Sequence, residues 1–183
     1  QIKNKQGGIF TIINSPKTVG KLNLKKINNQ NFINANFEKL HINEAIIQKK
    51  IKKLPPSMNL TCTKCSFKEI QLGSITLEGR NIEQNSFSTD ILKINNNDFE
   101  LIGKLSTSIT DNEYDSYGTF DLIFDNFGES LRRLKITDSI ENGKGLIDAQ
   151  IKWKGNKVKS FLYSLSGNTN IDLKSGFFKK IDP

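Results

Sequence analysis

Apolar residues recur at every second position in one stretch of this chain after another. Between Phe32 and Leu40, the residues Ile33, Ala35 and Phe37 alternate with Asn34, Asn36 and Glu38. Between Gly143 and Trp153, the residues Ile147, Ala149, Ile151 and Trp153 alternate with Asp148, Gln150 and Lys152. Successive side chains of a strand point to opposite faces, so this pattern buries one face and wets the other. Such a chain is committed to sheet with one apolar side.

The spacing predicts further strands at Ile9–Ile13, Gly20–Lys26, Met58–Cys65, Phe67–Leu72, Gly73–Arg80, Ser86–Ile94, Asp98–Ser106 and Tyr117–Asp125. Lys159–Leu165 and Asn168–Lys174 read as a pair turning at Ser166-Gly167, and Phe177 and Phe178 as a final extended stretch. Short polar turns separate the strands, among them Asn14-Ser15-Pro16, Asn81 to Asn85, Asn95-Asn96-Asn97 and Gly155-Asn156. Asp111 to Ser116 reads as a polar loop. Short strands with tight turns indicate an antiparallel meander.

Two segments change period. Ile47, Ile51 and Leu54 recur at helical spacing from Asn43 to Lys53, and Pro55-Pro56 stops that helix. Phe127, Leu131 and Leu134 line a second short helix. Asn126 can cap its first turn while Glu129 reaches back, as in a capping box. No linker divides the chain, so residues 1–183 read as one mostly β segment with two short helices.

The chemistry is sparse. His41 is the only histidine, and no nucleophile motif lies near it. Asp111, Glu113 and Asp115 lack the rest of a calcium loop. Asp121 and Asp125 flank a strand and need not converge. Gly143-Lys144-Gly145 resembles half a phosphate loop but opens a strand, and reads as a turn. Cys62 and Cys65 cannot complete a zinc site with His41 alone. They read as a small structural disulfide or two half-buried thiols. The expectation is no enzyme, no cofactor and no metal.

Charge suggests a different class. The net charge of +8 would suit nucleic acid or an anionic membrane. Lys152-Trp153-Lys154 and Phe177-Phe178-Lys179-Lys180 interleave basic and aromatic residues as single-strand binders do. The basic residues are spread along the chain, however, so the reading taken is a solvated surface without nucleic acid. The start at Gln1 shows no signal-peptide pattern, and no apolar run is long enough to span a bilayer. Both fit a mature or excised segment.

Several pieces carry a family resemblance. One runs from Thr119-Phe120-Asp121-Leu122 through Phe127 to Leu134 and Ile140 to Gly145, ending at Gln150 to Gly155. A second is Phe161 to Gly167 with Ile171 to Phe177, followed by Ile181-Asp182-Pro183. A third is Leu60 to Gly73. From about Asn31 onward the chain resembles the AsmA-like superfamily, closest to its YhdP branch and related to TamB; residues 1–30 carry little of the match. The resemblance implies a segment of a larger bacterial protein, held at the inner membrane by an N-terminal helix outside this chain and extending through the periplasm. It implies an elongated, curved, incompletely closed β-sheet, folded like a taco, whose apolar groove conducts phospholipid acyl chains toward the outer membrane. Phe120, Leu122, Phe124, Ile147, Ala149, Ile151 and Trp153 would then line the groove. A closed core under the helices is the other reading of those rows. An oxidising periplasm would favour a Cys62–Cys65 disulfide. Because residues three apart in a regular strand face opposite ways, the bridge would need a bulge or turn. The rival functions are a structural or assembly role in the envelope without lipid, and a basic nucleic-acid-binding module.

Overall fold

The computed structural model describes residues 2–3, 9–27, 30–43, 53–82, 85–110, 113–134, 136–155 and 164–179. Among the described residues, eleven strands form one sheet whose spatial order equals their chain order. They are β1 (Ile2–Lys3), β2 (Ile9–Asn14), β3 (Thr18–Ile27), β4 (Gln30–Ile42), β5 (Ser57–Phe67) and β6 (Ile70–Ile82). Then come β7 (Ser86–Asn95), β8 (Phe99–Thr110), β9 (Glu113–Phe124), β10 (Ile140–Lys154) and β11 (Ser166–Phe178). One helix stands among the described residues, α1 (Phe127–Arg133), between β9 and β10. The expected helix at Asn43–Lys53 falls almost wholly outside the described residues.

The sheet is open and curved, with β1 and β11 at its ends. Each consecutive pair is antiparallel except β4 and β5, which run parallel. A parallel pair needs a crossover of about a dozen residues or more, and residues 43–56 supply it. Alternation reports which residues share a face and is blind to strand direction, so the meander reading missed this step.

Other boundaries also moved. Phe67–Leu72 and Gly73–Arg80 are not two strands: the turn is Lys68-Glu69, and β6 runs unbroken through Gly73. Of the loop expected at Asp111 to Ser116, the described part, Glu113 to Ser116, is strand: β9 starts at Glu113 and its first residues pair with β8. Gly143 and Gly145 lie inside β10, where Asn142 (φ 56°) and Gly143 (φ 87°) kink the strand rather than turn it. Ser166-Gly167 is no turn either; both residues belong to β11, which pairs with β10. The partner first expected for that strand lies mostly in residues outside the described set.

Bulges shape the sheet. Between Cys62 and Cys65, β5 carries one residue more than the facing part of β6. Between Cys65 and Ser66 the surplus changes sides, because Leu72 of β6 has no partner there. The register beyond is therefore restored. β4 carries its own extra residue, Glu38, against β3. Since β4 and β5 stay in constant register, the two bulges lie side by side. A further irregularity falls in β7, between Ser88 and Leu92. Bulges bend a strand and raise its local twist. A line of them across β4, β5 and β6 accounts for curvature there.

The same bulge turns Cys62 and Cys65 to one face. They are bridged, with Cα atoms 6.0 Å apart and exposures of 3% and 0%. They pack with Ala35 and Phe37, and Leu22, Leu40, Leu60 and Ile75 close around that cluster.

Candidate functional site

Register fixes which side chains meet across the sheet. One row runs Phe37, Cys62, Ile75 and Ile94 over β4 to β7. It continues as Leu101, Leu122, Ile147 and Ile171 over β8 to β11. The adjacent row runs Leu22, Ala35, Leu60, Leu77 and Leu92, then Phe120 and Ala149 beyond Gly103. These rows make one apolar inner face that crosses the sheet without interruption. The outer face is largely polar: Thr119 pairs with Lys104 and Gln150, and Asp121 with Asp148.

All seven groove candidates lie on this inner face. Leu122 sits opposite Ile147 and Phe120 opposite Ala149. Ile151 faces Gly118, and Trp153 faces Ser116. Their environments differ. Phe124 is 3% exposed, whereas the other six are half-buried. Phe124 is closed off because α1 lies over it. The Phe127 ring meets it edge-on with centroids 5.0 Å apart, and Phe99 lies on its other side at 6.3 Å. Leu131, Leu134 and Ile140 complete this second cluster. The inner face is thus closed over Phe99, Phe124 and Phe127 at one end of β8–β10 and over Ala35, Phe37, Cys62 and Cys65 on β4 and β5, and the groove candidates between lie half-open.

The cap on α1 explains its position. Asn126 Oδ1 accepts from the Glu129 amide at 3.0 Å, as the sequence suggested. Glu129 does not reach back. Its carboxylate instead accepts from Arg132 (2.6 Å) and Arg133 (2.9 Å) one turn later, because charged guanidiniums outcompete a neutral amide. Arg133 also pairs with Asp98 at 3.0 Å, and the Ser130 hydroxyl donates to the Asp98 carbonyl at 3.1 Å. These bonds tie the helix to the start of β8.

Arg133 and Arg132 hold the Glu129 carboxyl below its ordinary range. A depressed carboxyl stabilises the folded chain above the ordinary pKa of about 4.3 and loses that contribution as pH falls through its folded value. Glu129→Gln should therefore be less stable than the parent at neutral pH, with the gap closing in acid. Urea midpoints measured on both chains across that range check this. A gap independent of pH would show that the ion pairs contribute nothing.

The end of the inner face away from α1 is more polar. Thr107 Oγ1 and Ser116 Oγ lie 3.0 Å apart, and Thr89 Oγ1 accepts from the Leu105 amide at 2.7 Å. His41 lies at the opposite end, on the face away from Leu40 and Cys65; it is half-buried, its Nδ1 3.0 Å from Ser66 Oγ on the neighbouring strand. Glu113 and Asp115 are exposed on β9. No group of three or more metal-ligating side chains occurs among the described residues, and no described helix is long and apolar enough to cross a membrane.

The YhdP protein family model matches residues 1–183. The chain belongs to the YhdP family. That places it among bacterial envelope proteins of the AsmA-like type. No curated protein and no solved structure matches it. In this YhdP chain the inner-face residues of β4 to β8, such as Leu60, Leu77, Leu92 and Leu101, belong to the site as much as those of β9 and β10 do. Sequence reasoning grouped them by strand and had no register with which to join them. The available signal was the phase slip: Phe37 to Leu40, and Cys62 to Cys65, are apolar pairs three apart in strands that otherwise alternate.

Proposed function

We propose that this YhdP-family chain shields phospholipid acyl chains on its apolar inner face, as a segment of a periplasmic path between inner and outer membrane. No bond is made or broken; the face serves as a surface along which hydrocarbon is kept from water. The observation that carries the reading is the pair of apolar rows crossing the sheet while staying half-exposed between the two closed clusters. Each methylene moved from water onto such a face gains about 0.8 kcal/mol. Rows that run across the strands offer a path at right angles to them. Transfer would be passive, with any driving force and the inner-membrane anchor supplied outside these residues.

A structural role in the envelope is favoured at the two closed clusters, Ala35–Phe37–Cys62–Cys65 and Phe99–Phe124–Phe127, whose side chains are already buried. The lipid path would therefore run beside α1, over Phe120, Ala149 and Ile151.

Mass spectrometry of the chain purified from the periplasm, run natively and after organic extraction, tests this. Phospholipid should co-purify. Ile151→Asp should lose it while the circular dichroism stays that of the parent. Ile151 is preferred to Ile147 because its cross-strand neighbours are Gly118 and Gly167, so little packing is disturbed. A folded parent free of lipid would remove the basis for the proposal.

A further inference from the structure

The crease in β5 couples a covalent bond to a choice of register. In a regular strand, residues three apart lie about 10 Å from one another with side chains on opposite faces, and a bridge needs Cα atoms within about 7 Å. Cys62 and Cys65 lie 6.0 Å apart, because Thr63 and Lys64 of β5 together face Ser74 alone on β6. Bridge and bulge therefore require each other. While the bond stands, the extra residue cannot leave this position.

Without the bond, the bulge has two steps open to it. A step toward the C-terminus would turn Cys65 outward and Lys64 inward, placing an ammonium in the cluster with Ala35 and Phe37 at heavy cost. A step toward the N-terminus would turn Cys62 outward and Thr63 inward. Thr61 and Cys62 would then face Thr76 alone, Thr63 would come opposite Ile75, and Leu60–Leu77 and Cys65–Gly73 would keep their pairing. Threonine suits a strand and is close to cysteine in size. β4 cannot follow, because the same step there would turn Glu38 inward in place of Phe37. The fixed register of β4 thus keeps the shifted form a minor one.

We infer that the Cys62–Cys65 bridge is a redox-controlled register lock, whose reduction lets Thr63 exchange with Cys62 on the inner face. A dithiol is the reductant. It loses two electrons and two protons, which convert the bridge to two thiols, and leaves as a disulfide. Exchange with a disulfide of the same class restores the bridge. The inference does not depend on the lipid reading.

Thiol alkylation tests it. Alkylation in urea without reductant should leave both cysteines of the purified chain unmodified, as a bridge requires. A second sample is reduced with dithiothreitol, exchanged into native buffer without air and pulsed with N-ethylmaleimide. Trypsin cuts after Lys64, so mass spectrometry follows the two thiols on separate peptides. Although the two are 3% and 0% exposed in the bridged chain, Cys62 should react about tenfold faster than Cys65, through the shifted form. Thr63 is exposed in the bridged chain, so Thr63→Glu should leave that fold unchanged. It should also return Cys62 to the rate of Cys65, because a carboxylate cannot take the inner position. Circular dichroism before and after reduction establishes that the strands persist. A chain unbridged as purified overturns the proposal. So do equal rates at the two thiols, whether the reduced chain is folded or not, and a preference for Cys62 that survives Thr63→Glu.

Discussion

Phe124→Ala should destabilise the chain by about 3–5 kcal/mol, the usual cost of emptying a buried aromatic site. The ring is 3% exposed and lies between Phe99 and Phe127. Phe99 starts β8, pairs with Phe124 and is bonded through its amide and carbonyl to Asn96, so its backbone is held and it cannot readily move to fill the space. Phe127 could move only by carrying α1 with it, against the Ser130 and Arg133 bonds to Asp98. Phe120→Ala, four residues away on the same face, should cost distinctly less because that ring is only half-buried. Urea denaturation of both variants measures the difference. Equal losses would mean that α1 does not close over Phe124.

Gly73→Ala should cost about 2 kcal/mol or more, for reasons of backbone rather than packing. Gly73 has a φ of 78°, and the left-handed region alone costs an alanine about 1–2 kcal/mol. A Cβ there would also sit 2.2 Å from the Asn95 carbonyl oxygen and 2.7 Å from the Asn96 Cβ. That oxygen is main chain, so relief requires moving the β7–β8 turn. Gly118→Ala is the comparison: its Cβ would meet the Phe120 ring at 2.4 Å, with the nearest backbone atom 3.5 Å away. A side chain can rotate aside more readily than a turn can shift. If the two variants lose the same stability, the conformation at Gly73 is not what matters.

Much of this architecture was legible because period-two alternation is a direct imprint of a half-wet sheet. Ile147, Ala149, Ile151 and Trp153 could be placed on one face from their spacing. So could the cap at Asn126, since a helix start has few chemical solutions. Strand direction was not legible: nothing in Phe32–Leu40 or Met58–Cys65 distinguishes a parallel neighbour from an antiparallel one. The partner of β11 was lost for a similar reason, because Ser166-Gly167 has the composition of a turn, yet here it pairs with Lys152 and Ile151. The partners of Glu129 were missed because the motif considers one amide and ignores two arginines a turn later. What lies over each part of the inner face was the least accessible, since it depends on where α1 rests rather than on any strand's own residues.

The bulges at Glu38, at Thr63-Lys64 and at Leu72 have a consequence for how such a chain can change length. Deleting Lys64 alone would put β5 out of step with β4 and β6 and send either the Cys62 half or the Cys65 half of the strand to the wet side. Removing Glu38, Lys64 and Leu72 together would keep all three strands in step and simply straighten the sheet. Tolerated insertions and deletions in this region should therefore come as matched sets across neighbouring strands, which makes the crease a single heritable unit.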